Sequence, residues 1–196
     1  MMTYVDKVDS AMLTEDEILN PQGWVLLGFI CDPRTGFGYH KGFSVSNLDL
    51  MRQLVDYIRQ YPIGKILDIR DVRERIEMYR TENERFKDFL LRHTCYEGVV
   101  AVTDARGVAD VPPGNRFLVY SLFPACNISI RLIDGRGGGF VAFSVGHSIL
   151  NRTSKVDIGK LMLSYGGGGH RAVGTCQAPA AEADRVLREL LAAMNG

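Results

Sequence analysis

The sequence predicts an α/β protein whose C-terminal half is built on one mixed β-sheet with flanking helices. Two observations predict it. From about residue 96 the hydrophobic pattern changes from helical spacing to short apolar runs of strand length. Those runs, at 98–103, 127–133, 140–145 and 173–177, alternate with helical segments, and that order closes into a compact α/β domain. A long charge-rich helical pattern over 71–92 precedes this half and reads as a connector.

Taken in order, Thr14 and Glu17 have the spacing of a capping box, so a short helix is expected over 15–19, closed by Pro21. The apolar run 24–31 is core, and its period leaves strand and helix open. Asp32-Pro33-Arg34-Thr35-Gly36 then reads as a turn. Asn47 is a plausible cap for a helix over 48–60, with Leu50, Leu54, Tyr57 and Ile58 on one face and Pro62-Ile63-Gly64 as its stop. The 71–92 helix carries an apolar stripe at Val72, Ile76, Tyr79, Phe86 and Leu90, and its charges need nothing beyond solvation. Further helices are expected from Arg116 to Leu122, over 156–163 and over 180–194, with loops at 105–114 and 134–139.

With 196 residues and 46% hydrophobic content there is material for one large or two small cores. No run can span a bilayer and no signal peptide is legible, so the chain reads as soluble, cytoplasmic and without membrane partners. Cys31, Cys95, Cys126 and Cys176 are scattered and form no C-x-x-C, against a zinc ribbon or a disulfide framework. The net charge is zero, yet residues 105–171 hold eight Arg and Lys against three Asp. Six of the eight are arginines, whose planar fork suits phosphate oxygens. The excess points to an anionic ligand more than to extended duplex binding.

That excess surrounds Tyr165-Gly166-Gly167-Gly168-Gly169-His170-Arg171-Ala172-Val173-Gly174. By itself a four-glycine run is a flexible turn or a helix stop. With His170 and Arg171 following at once, it also reads as a loop whose bare backbone N–H groups cradle an anion. The pattern Gly-Gly-Gly-Gly-His-x-Ala-x-Gly resembles the signature of the C-terminal domain of DHH-family phosphoesterases, which include RecJ-type exonucleases, nano-RNases and exopolyphosphatase-related proteins. Asn115-Arg116-Phe117, residues 123–130 and residues 149–155 are similar to the exopolyphosphatase-related branch, and the likeness runs from about Asp6 to Leu190.

The resemblance implies three parts: the C-terminal remnant of a DHH catalytic domain over 1–67, a connector helix over 68–94 and a glycine-rich substrate-binding domain over 95–196. It implies metal-dependent hydrolysis of phosphoester or phosphoanhydride bonds with Mn2+ or Mg2+, and partners among phosphorylated small molecules, polyphosphate and short single-stranded oligonucleotides. Residue by residue, Asp32 stands where the family has a metal-binding aspartate. Arg116, Arg152, Ser154, Gly167, Gly168, Gly169 and His170 stand where it holds substrate phosphate, with the glycine loop expected to face Asp32. Arg116 also reads as a helix-surface charge, and His170 as a satisfied core histidine.

The chain departs from the family in lacking any Asp-x-Asp or Asp-His-His, and His40, His93, His147 and His170 are isolated. Two-metal chemistry needs both cations clamped around the reacting oxygens, so no complete catalytic set is expected in these residues and they alone should not hydrolyse phosphoesters. A fragment, a mis-started frame and a natural short form all fit. A non-catalytic module for nucleotides or single-stranded nucleic acid is the rival reading, and a homodimer through the 71–92 helix a third.

Overall fold

The computed structural model describes residues 2–35, 37 and 42–196. The chain divides into two compact units, one of residues 1–89 and 112–118 and one of residues 90–111 and 119–196.

The first unit is helical: α1 (Met2–Asp9), α2 (Glu15–Leu19), α3 (Gly23–Cys31), α4 (Asn47–Gln60), α5 (Ile63–Leu67) and α6 (Arg70–His93), whose last residues pass into the second unit. The capping box of α2 is formed as read: Thr14 Oγ1 accepts from the Glu17 amide at 3.3 Å, and Glu17 Oε2 accepts from the Thr14 amide at 2.8 Å. The ambiguous apolar run is helix α3. It buries Val25, Leu26, Leu27, Phe29 and Ile30, apolar on nearly every side, as a helix enclosed by others must be. Asp32, held extended ahead of Pro33, ends it. Phe29 stacks on Tyr79 of α6, ring centroids 6.3 Å apart.

Two readings change here. Ser46, not Asn47, caps α4: its Oγ accepts from the Asp49 amide at 3.1 Å. Pro62 does not merely stop a helix; it sits at the cap of α5, where its fixed φ suits a helix start. Nor are all charges of α6 solvated. Arg75 is 1% exposed, and its guanidinium donates to Asn47 Oδ1 at 3.1 Å, Asp71 O at 2.8 Å and Val45 O at 2.6 Å while lying over the Phe43 ring. A hydrogen bond from each of its three nitrogens, with the ring beneath, is what makes this buried cation tolerable.

The second unit holds a six-stranded sheet in the order β1-β2-β3-β4-β6-β5, with β1 (Thr94–Glu97), β2 (Val100–Asp104), β3 (Ile128–Asp134), β4 (Phe140–His147), β5 (Gly168–His170) and β6 (Val173–Pro179). Only β2 and β3 pair in parallel, through a connection that contains α7 (Leu118–Leu122), so the sheet is mixed as expected. One face is core: Val102, Ile128, Ile130, Leu132, Val141, Phe143, Val145, Cys176 and Ala178 pack against Ile158 and Met162 of α8 (Ile158–Leu163) and Val186, Leu190 and Met194 of α9 (Ala183–Asn195). On α8, Ile158 and Met162 are buried, Leu161 packs against the same core, and Leu163 is 67% exposed. The edge strands β1 and β5 were missed because neither carries apolar alternation. Among the described residues no helix is long and apolar enough to cross a membrane.

Burial makes the thiols unequal. It pushes Cys31 and Cys126 up to about 11 and also raises Cys176, whereas Cys95 is exposed. With an aromatic disulfide reagent at pH 8, one thiol of the native protein, Cys95, should react within minutes and the rest only on unfolding. Two or more fast thiols would contradict this packing.

Candidate functional site

The glycine run is divided between three structural tasks. Gly166, at φ +73°, is the left-handed residue that ends α8, and its amide donates to Leu163 O at 3.0 Å. The Gly167 amide donates to Met162 O at 2.9 Å, completing a Schellman cap. The expectation that Gly167 offers its N–H to a ligand is therefore corrected: the helix's own orphan carbonyl takes it. Gly167 is glycine for a steric reason as well, since a Cβ there would lie 2.0 Å from Thr175 O.

Gly168, Gly169 and His170 then form β5, paired as Gly168↔Thr175, Gly169↔Gly174 and His170↔Val173. The run is thus an edge strand and hairpin rather than an open loop, turned at Arg171 and Ala172. A two-residue turn closes on a hydrogen-bonded pair, here His170↔Val173, so the residue before it points its N–H away from the partner strand. That residue is Gly169, on the last strand of the sheet, where α8 approaches: a Cβ on Gly159 would lie 3.0 Å from Gly169 O. A Cβ on Gly169 would meet Val173 O at 2.2 Å, while one on Gly168 would meet nothing within 4 Å.

His170 is exposed, which removes the core-histidine reading. Its register partner Val173 alternates with the buried Gly174, placing the imidazole on the sheet face opposite the core. A cavity of about 710 Å³ opens on that face, lined by Ala142, Ser144, Gly166, Gly167, Gly168, Thr175, Cys176 and Gln177.

The loop carrying Arg152 and Ser154 is tied to the hairpin turn at both ends: the His147 amide donates to Ala172 O at 2.8 Å and the Ile158 amide to Arg171 O at 3.0 Å. Arg152 is exposed, and its Nε donates to Ile149 O at 2.9 Å. Ser154 Oγ lies 3.4 Å from His147 Nε2, which is also 2.9 Å from Val156 O. Ser154 thus shapes the loop, together with His147, a residue the sequence reading passed over because its partners lie seven and nine positions away.

Asp32 and Arg116 both belong to the first unit. Asp32 Oδ1 accepts from the Arg34 amide at 2.9 Å and from Arg34 Nε at 2.8 Å; Oδ2 accepts from Arg116 Nε at 3.3 Å. Burial pushes the Asp32 carboxyl up, but the Arg34 hydrogen bonds and the charges of Arg116 and Arg34 outweigh it and hold it below the usual carboxylate range. Arg116 is positioned by Asn115, which is 1% exposed and spends its amide groups on Asn83 Oδ1, Ile18 O and the Phe117 amide. Asn115 lies in the segment similar to the family, but its partners stand 32 and 97 positions away, beyond any local pattern.

Tested as a metal site, Asp32 fits poorly. Both of its oxygens face guanidinium groups, and among the described residues no three His, Cys, Asp or Glu side chains stand together. His40 lies outside the described residues. The described donors do not make up the two-cation clamp that the chemistry requires.

Fold and site define a class: a mixed-sheet α/β domain ending in a glycine hairpin, of the kind found at the C-terminus of phosphoesterases. The chain is similar to the pGpG-specific phosphodiesterase PggH from Vibrio cholerae, at 42% identity and a TM-score of 0.91, over 99% of this chain and 65% of that one. It thus spans somewhat less than two thirds of that relative's length. Weaker likenesses are to an exopolyphosphatase-related protein from Bacteroides fragilis (16% identity, 72% of this chain and 43% of that one, TM-score 0.46) and to the C-Ala domain of alanyl-tRNA synthetase from Aquifex aeolicus (18%, 53% and 98%, TM-score 0.37). No protein-family model and no curated protein sequence matches. The chain belongs to the DHH family of phosphoesterases.

Proposed function

We propose that this chain recognises a phosphorylated small substrate, a linear guanine dinucleotide of the pGpG kind, and holds its terminal phosphate at the glycine hairpin. The observation that carries the reading is an exposed His170 on the terminal strand of the sheet, next to Gly169, whose register turns its N–H away from β6. The outward amide and the imidazole donate to phosphate oxygens, and Arg152, on the loop tied to the same turn, supplies positive charge. Hydrogen bonds to a charged group contribute about 1.5–3 kcal/mol each, so removing one should weaken binding by about tenfold or more.

In this family Mn2+ or Mg2+ supplies the activated water. The Asp32 ion pairs leave these residues short of metal ligands, so the role proposed for them is selection and positioning of substrate, not bond breaking. Calorimetric titration with pGpG, followed by chromatography of the mixture incubated with Mn2+, tests this. Saturable binding without release of guanosine monophosphate is the expected result. Turnover by the purified 196-residue chain, or no binding at all, would overturn it.

A further inference from the structure

At the end of the sheet opposite the glycine hairpin, a second cavity of about 410 Å³ opens between β1 and α9. Register explains what lines it. Cys95 pairs with Val102 and Glu97 with Val100, and both valines belong to the core, so the Cys95 and Glu97 side chains project on the α9 side of the sheet. Thr94 projects the other way, its hydroxyl 2.9 Å from that of Thr103. Val102, Leu187 and Leu191 give the cavity an apolar floor. Because β1 is the terminal strand, Cys95 and Glu97 stay exposed beside that floor.

Charge is divided along the β1 wall. Arg92 and His93, the last residues of α6, stand at one end. Glu97 stands at the other, two residues and about 7 Å along the strand from Cys95. Asp104 also borders the cavity, but its carboxylate is committed to Arg106, which donates to it from Nε at 2.9 Å and from Nη2 at 2.6 Å. The thiol therefore lies midway between a cationic end and an anionic end. A thiol serving only to pack is buried, as Cys126 and Cys176 are.

We infer that this cavity takes up a small peptide disulfide whose cysteine is flanked by a carboxylate on one side and an ammonium group on the other, and that Cys95 forms a mixed disulfide with it. The ligand's carboxylate lies toward Arg92 and His93, its ammonium group toward Glu97, and its methylene groups over Leu187 and Leu191. The Cys95 thiol releases its proton to solvent, and the thiolate attacks one sulfur of the ligand. The ligand's S–S bond breaks as the new one forms, and the departing thiolate takes up a proton. Cys95 is oxidised and the departing half is reduced, so the ligand is the only oxidant required. This site is independent of the phosphate reading.

The test follows the intact mass of the native chain with oxidised glutathione, which carries both charges, and with neutral 2-hydroxyethyl disulfide. Each rate is divided by that of the same reagent with a short cysteine peptide. Oxidised glutathione should add once, at Cys95, with a normalised rate about tenfold above that of the neutral disulfide. Cys95→Ser should abolish the adduct. Arg92→Gln and Glu97→Gln should each cut the preference about threefold and leave the neutral reagent's rate unchanged. Both residues are exposed, so both variants fold. Equal normalised rates in the wild type, a preference that survives both substitutions, or addition at another cysteine would overturn the inference.

Discussion

Replacing Gly169 by Ala should destabilise the protein by about 2–4 kcal/mol, the sum of backbone strain and overpacking against atoms that cannot move aside. At φ +156° the new Cβ would lie 2.2 Å from Val173 O and 2.4 Å from Gly174 Cα, both backbone atoms of β6. No rotamer change relieves a clash with a paired strand. Gly168→Ala, one residue away, meets nothing within 4 Å and should stay within about 0.5 kcal/mol of the wild type. Its methyl group enters the cavity, so ligand binding weakens without loss of fold. Urea unfolding of the two variants checks this; equal stabilities would mean that the hairpin does not pack on β6 as described.

The second large effect is on binding. His170→Ala should weaken guanosine monophosphate about 10- to 100-fold, the loss of one hydrogen bond to a charged group. Because the side chain is exposed and makes no core contact, the unfolding midpoint should not change. The His170→Ala, Arg152→Ala double variant should lose measurable affinity altogether. An unchanged dissociation constant in the double variant excludes the hairpin as the anion site.

The sheet was legible where strands are apolar and buried. Residues 128–134 and 140–147 announce themselves by alternation of Ile, Leu, Val and Phe. Strand β5 was not, because Gly168, Gly169 and His170 have no apolar signal and are held in the sheet only by pairing with β6. Likewise α3 could not be told from a strand, since a helix enclosed on all sides loses its period. At the site, the four glycines and His170 pointed to an anion on chemistry alone. Their division of labour is a matter of three-dimensional approach: Gly166 and Gly167 end a helix, Gly169 clears a backbone, and Gly168 leaves space. The same is true of Asp32, which reads as part of a turn and whose arginine partners lie two and 84 positions away.

The most direct measurement is a titration of the 15N-labelled chain with guanosine monophosphate, followed by amide chemical shifts. A phosphate held at the hairpin moves Gly168, Gly169 and His170 most, with a second set of shifts in residues 148–157. Saturation of binding while those amides stand still, with the shifts gathered elsewhere in the chain, would contradict the account.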